Sequence, residues 1–168
     1  ALLGQAHAGL RQFDAALTWA KATLSLTKAL KYEQLVAIDT FNVGLFTLLG
    51  DKPTEALTLF KEARAAANLQ QDLVFTKELL YNTGVAALRV GERRTAREAF
   101  TTMLPAARQT KDWGKMVGAY QSLANLSAAE GDKSNAVKLL GEALKVADNN
   151  NMKDERRAIK KRIEELGG

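Results

Sequence analysis

The sequence predicts an all-α protein, a right-handed superhelix of antiparallel helix pairs (an α-solenoid) that ends in a C-terminal capping helix. Three observations lead to this fold class. Only two of the 168 residues are proline, and the helix formers Ala, Leu, Lys, Glu and Gln are plentiful. Aromatic residues, at 7%, are too few and too scattered for a β-sheet protein. Similar residues also recur every 40 positions, and a fixed period of about this length is typical of stacked helical repeats.

Three columns of the repeat carry the periodicity. The first column holds small residues, at Gly4, Gly44, Gly84 and Ala124. The second column holds alanine, at Ala16, Ala56, Ala96 and Ala136. The third column holds mostly bulky residues, at Ala20, Phe60, Phe100 and Leu140. Small residues allow two antiparallel helices to approach closely, and a bulky residue can fill the space between stacked hairpins. We therefore expect Phe60 and Phe100 to be buried.

Turn residues divide this pattern into helices. Gly50, Gly91 and Gly131 each separate two helical segments, and glycine is favoured after a helix because it adopts positive φ without strain. Pro53 fits a first helical turn, and Asp132 fits an N-cap. The predicted helices span residues 1–10, 13–30, 33–49, 53–69, 72–90, 93–110, 112–130, 133–148 and 153–166.

These helices form a single predicted domain. Its repeats span about residues 1–32, 33–71, 72–111 and 112–151, and the capping helix spans about 153–166. The first pair lacks its opening turns, and the sequence starts without Met, so we expect it to be part of a longer protein. Proline inside a helix deletes a backbone hydrogen bond, and we expect Pro105 to kink the helix or end it near residues 101–105.

The pattern resembles the tetratricopeptide repeat (TPR) family. The matching pairs are Leu3-Gly4, Val43-Gly44, Thr83-Gly84 and Leu123-Ala124, and they are followed by the turn glycines Gly91 and Gly131 and by the alanine and phenylalanine columns. The usual TPR repeat has about 34 residues. The 40-residue repeat of this sequence therefore resembles the long-repeat forms of the family, such as kinesin light chains. In these forms an asparagine just before the Leu-Gly pair holds a peptide backbone in the groove. The matching positions here are Asn42 and Asn82, with Ser122 in the fourth repeat and Leu2 in the first.

The resemblance implies a protein-interaction scaffold that binds an extended or helical peptide in a concave groove. The phase of the columns predicts the residues that line this groove: Asn42, Leu45, Leu49, Glu78, Asn82, Val85, Arg89, Ser122, Asn125 and Ala129. An asparagine side chain can pair with a peptide C=O and N–H together. In the alternative interpretation, Asn42 and Asn82 only bond neighbouring helices.

Other polar and aromatic residues admit both structural and functional interpretations. An arginine cluster at the third hairpin could bind an acidic partner, or could be a solvated turn; it comprises Arg89, Arg93, Arg94 and Arg97. Trp19 and Trp113 could anchor a partner, although packing between repeats is the favoured role for both. The last helix places Ile159, Ile163 and Leu166 on one stripe, and its charged faces fit a terminal cap or, alternatively, attraction to a membrane or nucleic acid.

No catalytic or metal-binding pattern is found. The sequence has no cysteine, and its one histidine, His7, has no evident triad partner or further ligands. We therefore expect no enzymatic activity and no cofactor. The net charge of +5 is spread along the chain, so no nucleic-acid partner is expected, and no apolar run is long enough to span a membrane.

The expected partner is thus a protein or peptide. Self-association through the open N-terminal end is an alternative, as is a regulatory domain of a larger enzyme or DNA-binding protein. Composition leaves the compartment open, with a slight preference for the cytoplasm.

Overall fold

The protein is a row of α-helices joined by short turns. The structure, a computed structural model, describes residues 2–67 and 72–167, and for residues 2–13 and 34 it describes the backbone alone. The helices of the described residues are α1 (Leu2–Ala29), α2 (Glu33–Leu49), α3 (Pro53–Ala66), α4 (Leu73–Val90), α5 (Arg93–Gln109), α6 (Trp113–Ala129), α7 (Lys133–Asn149) and α8 (Lys153–Leu166).

Consecutive helices pack as hairpins, and the hairpins stack in chain order. The α2–α3, α4–α5 and α6–α7 pairs make the most extensive contacts, while α3–α4 and α5–α6 join one hairpin to the next. Helix α1 packs on α2, and α8 packs on α7. The first helices α2 and α4 also touch each other, so the first helices lie side by side along one surface. The predicted repeat boundaries stay a prediction.

Helix α1 differs from the prediction. Helices were expected at 1–10 and 13–30, but α1 is one helix of 28 residues, so the predicted break is wrong. Gly91 and Gly131 provide the turns of later repeats, whereas Arg11 occupies the matching position in the first row. Arginine favours helix, so the glycine that ends the first helix of later repeats is missing here, and Gly9 alone does not stop α1. The first row therefore contributes one long helix and no hairpin.

The turns follow a 20-residue rhythm of left-handed residues. Gly91 (φ 81°) and Gly131 (φ 85°) adopt positive φ as expected. Gly50 does not (φ −77°), and Asp51 (φ 59°) is the left-handed residue of its turn. The remaining turns use Lys31, Lys111 and Asn151, with φ of 55°, 55° and 56°. Residues 68–71, which include the end of the predicted helix 53–69, lie outside the described residues.

Helix starts largely use the predicted chemistry. Pro53 is the first residue of α3, where its missing N–H leaves no hydrogen bond unmade. The Asp132 carboxylate accepts a hydrogen bond from the Asn135 N–H at 2.9 Å and caps α7. Helix α3 ends at Ala66, before the predicted residue 69, because Ala67 is extended.

The core confirms the bulky and small columns. Phe60 and Phe100 are completely buried, as predicted. A Cβ placed on Gly44 would lie 2.7 Å from the Phe60 ring, and a Cβ on Gly84 would lie 2.7 Å from the Phe100 ring. Glycine is therefore needed at these two positions because each phenylalanine packs directly on the backbone of its hairpin partner.

Helix α5 continues through Pro105 to Gln109, so the predicted early end is wrong, and the kink stays a prediction. Proline deprives the Thr101 carbonyl of its usual N–H partner. Both Pro105 and Thr101 lie on the exposed side of α5. Water can therefore hydrate this carbonyl, which lowers the cost of a proline in the helix.

The two tryptophans have different environments. Trp113 is partly buried and packs on the main core, as predicted. Trp19 is 74% exposed, so its predicted packing role is wrong. The side chain of His7 lies outside the described residues. Within the described part of the chain, no helix is long and apolar enough to cross a membrane.

Candidate peptide-binding groove

The predicted groove residues lie on the first helices α2, α4 and α6. Their spacing of three or four residues keeps each helix's members on one face. We use the name first-helix surface for the area formed by these faces together with the neighbouring parts of α1 and α8. Three of its regions have distinct chemistry.

The N-terminal region lies between α1 and α2. Asn42 is half-buried there and lines a recess of about 350 Å³ with Trp19, Thr23, Asp39 and Phe46. Asp39 accepts a hydrogen bond from Thr27, which ties α1 to α2. Asn42 makes no hydrogen bond within the described residues, so its carboxamide keeps both donor and acceptor capacity.

Two predicted apolar residues of α2 have different exposures. Leu45 is partly buried and packs on the core, whereas Leu49 is 50% exposed. Leu49 therefore presents apolar area to solvent, and Leu45 contributes to the floor of the surface.

The middle region is formed by α4. The Asn82 side-chain N–H donates to the Glu78 backbone carbonyl at 2.8 Å, within the same helix. This bond leaves the Asn82 carboxamide oxygen without a partner among the described residues. Val85 packs partly on the core. Arg89 reaches back to α2, with its guanidinium 3.4 Å from the Leu48 carbonyl oxygen and 3.6 Å from the Asp51 carboxylate.

The C-terminal region joins α4, α6 and α8. It contains a recess of about 790 Å³ whose polar lining includes Tyr81, Gln121, Ser122, Asn125 and Arg162. The Ser122 hydroxyl donates to the Gly118 carbonyl at 2.8 Å, and Asn125 is exposed. A Cβ on Gly118 would lie 3.0 Å from the Tyr81 hydroxyl, so this glycine makes room for the tyrosine. Ala129 is exposed at the end of α6.

Four charged side chains connect α4 to α6. The Lys77 ammonium, only 9% exposed, lies 2.7 Å from the Asp112 carboxylate and 3.4 Å from Glu78. Lys115 lies 2.9 Å from Glu78 and 3.4 Å from Asp112, and its ammonium is 5.6 Å from the centre of the Tyr81 ring. The two cations and two anions balance each other, so Glu78 is part of a neutral cluster and is not an isolated anion.

The cluster shifts the pKa of two members. Burial acts to raise the pKa of Asp112, but hydrogen bonds from the Lys77 side chain and the Lys115 backbone outweigh it, so the pKa is lowered. Burial acts to lower the pKa of Lys115, but its hydrogen bond and attraction to Glu78 outweigh it, so the pKa is raised. Asp112 and Lys115 are therefore charged at neutral pH.

Sequence reasoning missed several residues of this surface, among them Lys115, Tyr81, Gln121 and Arg162. Gly118 is the position that matches Glu78 of the preceding repeat, and Lys115 lies one helical turn before it. A lysine so close to the counterpart of Glu78 was the sequence signal for an ion pair between the two repeats. Arg162 was missed because α8 was treated only as a cap. The described residues contain no group of three or more potential metal ligands.

The arginine cluster at the third hairpin is divided among different contacts. Arg97 lies 2.7 Å from Glu130 and so bridges consecutive hairpins, while Arg89 faces Asp51. Arg93 and Arg94 are exposed and make no ion pair within the described residues. The four arginines therefore do not form one convergent anion site.

Comparisons with known proteins establish the fold. No protein-family model and no curated protein sequence matches the chain. A solved structure of a Podosopora anserina protein assigned as a kinesin light chain, with nearly identical TPR-like repeats, aligns over 98% of this chain and 92% of its own, with a TM-score of 0.68 and 13% identity. A single-substitution variant of that protein gives a TM-score of 0.69 and 13% identity, over 97% and 91% of the two chains.

Proposed function

The chain folds as TPR-like repeats, an α-solenoid of stacked helix pairs, which confirms the predicted fold class. Solenoids of this kind generally present extended surfaces to protein partners. We propose that this chain is a non-enzymatic scaffold that binds an extended or helical peptide segment of a partner on its first-helix surface. The observation that carries the proposal is the free hydrogen-bonding capacity of Asn42 and Asn82, one repeat apart.

Each part of the surface has a role in this mechanism. The carboxamides of Asn42 and Asn82 pair with backbone groups of the peptide, which makes capture tolerant of peptide sequence. Leu49 supplies an apolar contact, with Leu45 and Val85 forming the floor beneath it. Ser122 and Asn125 continue the polar lining in the C-terminal recess. Glu78 and Arg89 are already engaged in ion pairs, so they stabilise the arrangement of helices and offer little free charge.

The test is the double variant Asn42→Ala with Asn82→Ala. A binding peptide is first selected on the immobilised 168-residue chain from a displayed peptide library. Each lost hydrogen bond is worth about 0.5–1.5 kcal/mol, so the double variant should bind this peptide about five- to 150-fold more weakly. Asn149→Ala, an exposed asparagine on α7, is the matched control and should bind normally.

Thermal melting accompanies the binding measurements. Unchanged affinity of a folded double variant would rule out the asparagines as ligands of the peptide backbone. A large drop in melting temperature would show that Asn42 and Asn82 serve the fold, which is the alternative interpretation of these residues.

Helix α1 supports a second candidate function, self-association. Its residues at helical spacing form an exposed apolar stripe: Ala15, Trp19, Ala22, Leu26 and Leu30. Trp19 is 74%, Leu26 60% and Leu30 52% exposed. The counterpart of Trp19 in the next repeat is Leu59, whose Cβ would be 3.2 Å from a Cβ on Gly44 of the partner helix α2. Trp19 thus occupies a position that packs within the hairpin in the next repeat.

A second copy can cover this stripe by antiparallel pairing of the two α1 helices. With Ala22 at the two-fold axis, Trp19 of each copy lies opposite Leu26 of the other. The small Ala22 side chain lets the helix backbones approach closely, and Asp14 lies on the same flank as Lys28 of the other copy. Sedimentation equilibrium should then report a dimer that Trp19→Lys converts to a monomer. Ser25→Lys adds the same charge on the polar face and should leave the dimer intact; a monomeric wild-type chain would reject this candidate.

A further inference from the structure

Helix α8 presents a row of cations on one face. The row comprises Lys153, Arg156, Arg157, Lys160 and Lys161, at positions i, i+3, i+4, i+7 and i+8, which share one helix face, and all five are exposed. They line a recess of about 460 Å³ between α8 and the end of α7. We use the name basic stripe for these five residues. The orientation of α8 is fixed from its other side, where Ile159 is completely buried against α7.

The basic stripe is poorly neutralised. Arg156 lies 3.5 Å from Asp148, but the other four cations have no ion pair among the described residues. Two cations that bridge consecutive hairpins behave differently, since Arg64 lies 3.1 Å from Glu98 and Arg97 lies 2.7 Å from Glu130. These ion pairs join one hairpin to the next, whereas the basic stripe concentrates unpaired positive charge in a concave site.

The spacing of the cations indicates the ligand. Lys153, Arg157 and Lys161 are four residues apart, which is about 6 Å along a helix. Side chains on one face of an extended peptide are about 6.6 Å apart, so alternate acidic residues can meet successive cations. The stripe spans nine residues, or about 12 Å, which accommodates two or three such carboxylates.

Two carboxylates line the same recess as the basic stripe. Asp148 lies beside Arg156, within the length of the stripe, and Glu164 follows Lys161 on the same helix. A long polyanion such as a nucleic acid would extend past Lys161 and meet the negative charge of Glu164. A short acidic segment can end before it.

We propose that the recess between α7 and α8 binds a short acidic peptide segment of a partner protein, with carboxylates at alternate positions held by Lys153, Arg157 and Lys161. Arginine can hold a carboxylate through two parallel hydrogen bonds, so Arg157 is the central ligand. The site shares no lining residue with the predicted groove, so it is a separate point of attachment. It does not depend on the function proposed for Asn42 and Asn82.

The experiment uses the full 168-residue chain and a fluorescein-labelled peptide with glutamate at three alternate positions. Fluorescence anisotropy should show binding to this probe and none to the same peptide with glutamine at those positions. Arg157→Gln with Lys161→Gln should weaken binding about two- to thirtyfold, because each exposed charge pair contributes about 0.2–1 kcal/mol. High salt should weaken binding of the wild-type chain as well.

The control Lys133→Gln with Lys138→Gln removes the same charge from exposed positions of α7 outside the recess, and should leave binding unchanged. If both double variants lost the same binding affinity, the effect would come from the net charge of the chain and not from the recess, and the proposal would be overturned. Equal binding of the glutamine probe would also overturn it. So would tighter binding, through the same residues, of a single-stranded oligonucleotide or of vesicles containing an anionic lipid. Asn42→Ala with Asn82→Ala should leave this probe's affinity unchanged, which separates the two sites.

Discussion

Gly84 and Phe100 should behave as a coupled pair whose sizes must match. A Cβ on Gly84 would lie 2.7 Å from two atoms of the Phe100 ring, well inside the normal contact distance of about 3.5–4.0 Å. The ring is completely buried, so it cannot turn aside into solvent. The fourth repeat has a different pair of residues at these two positions. Ala124 replaces the glycine and Leu140 replaces the phenylalanine, so a larger residue on one helix faces a smaller one on the other.

The magnitudes follow from this geometry. Gly84→Ala gains about 1 kcal/mol of helix propensity but costs about 1–3 kcal/mol in overpacking, so it should destabilise the protein by about 1 kcal/mol. Phe100→Leu leaves part of the ring volume empty and should cost about 1–3 kcal/mol, less than the 3–5 kcal/mol of Phe100→Ala. In the double variant the new methyl group fills space that the ring has vacated. We expect the double variant to be about 1–3 kcal/mol more stable than the sum of the single changes.

Urea denaturation followed by far-UV circular dichroism measures the four free energies of unfolding. In a chain of this size, 1 kcal/mol corresponds to about 2–4 °C in melting temperature, so heating gives an independent check. Gly141→Ala is the matched control, because a Cβ added to this glycine of α7 would have no atom within 4 Å. It should stabilise the protein by about 1 kcal/mol. Additive effects in the double variant, or a Gly84→Ala as stabilising as Gly141→Ala, would refute the size-matching argument.

Three further predictions concern turns, charge and capping. Lys111 has a φ of 55°, which strains a residue with a Cβ, so Lys111→Gly should raise the free energy of unfolding by about 0.5–1 kcal/mol. Gly91 has a φ of 81°, so Gly91→Ala should lower the free energy of unfolding by about 1 kcal/mol. Urea titrations of both variants check these values. The pKa of Asp112 is lowered, so the stability that this carboxylate contributes is complete at neutral pH and is lost as the pH falls below 3.8, the ordinary pKa of an aspartate. The Asp112→Asn variant should therefore lose less stability than the wild-type chain when the free energy of unfolding is measured from pH 6 to about pH 2. Asp132→Ala removes the N-cap of α7 and should cost about 1 kcal/mol, with the melting temperature as the readout and Asp132→Asn as the conservative control.

The sequence predicted the helices best where local chemistry and periodicity agreed. The bounds of α2 and α8 match the prediction, because glycine or asparagine turns and an apolar stripe both mark them. The break at residues 10–13 was predicted from periodicity alone, because the turn position of the first row holds Arg11 and not glycine. There the intrinsic helix preference of the residues prevailed, and α1 runs on. A repeat match therefore needs its own turn residues before it predicts a hairpin.

The candidate site was less predictable than the fold. The face of each first helix follows from helical spacing, so Asn42 and Asn82 could be chosen from the sequence. Contacts between repeats, such as Lys115 with Glu78 at 2.9 Å, depend on how neighbouring hairpins are rotated and shifted against each other. That register arises from packing of the whole stack, and a single helix carries no sign of it.

The two ends of the described stack leave different surfaces, and this difference predicts how copies of the 168-residue chain can associate. At one end α1 exposes an apolar stripe centred on Trp19, and at the other end α8 exposes the basic stripe. The apolar stripes of two copies attract each other, and the basic stripes of two copies repel each other. Contact between the apolar stripe of one copy and the basic stripe of another is unfavourable, because the unpaired cations would lose their hydration. Contact through α1 with a two-fold axis uses the same surface on both copies and is complete with two, whereas head-to-tail contact would continue into a filament. Sedimentation should therefore show a mass limit at the dimer as concentration rises, and species larger than a dimer would contradict this pairing.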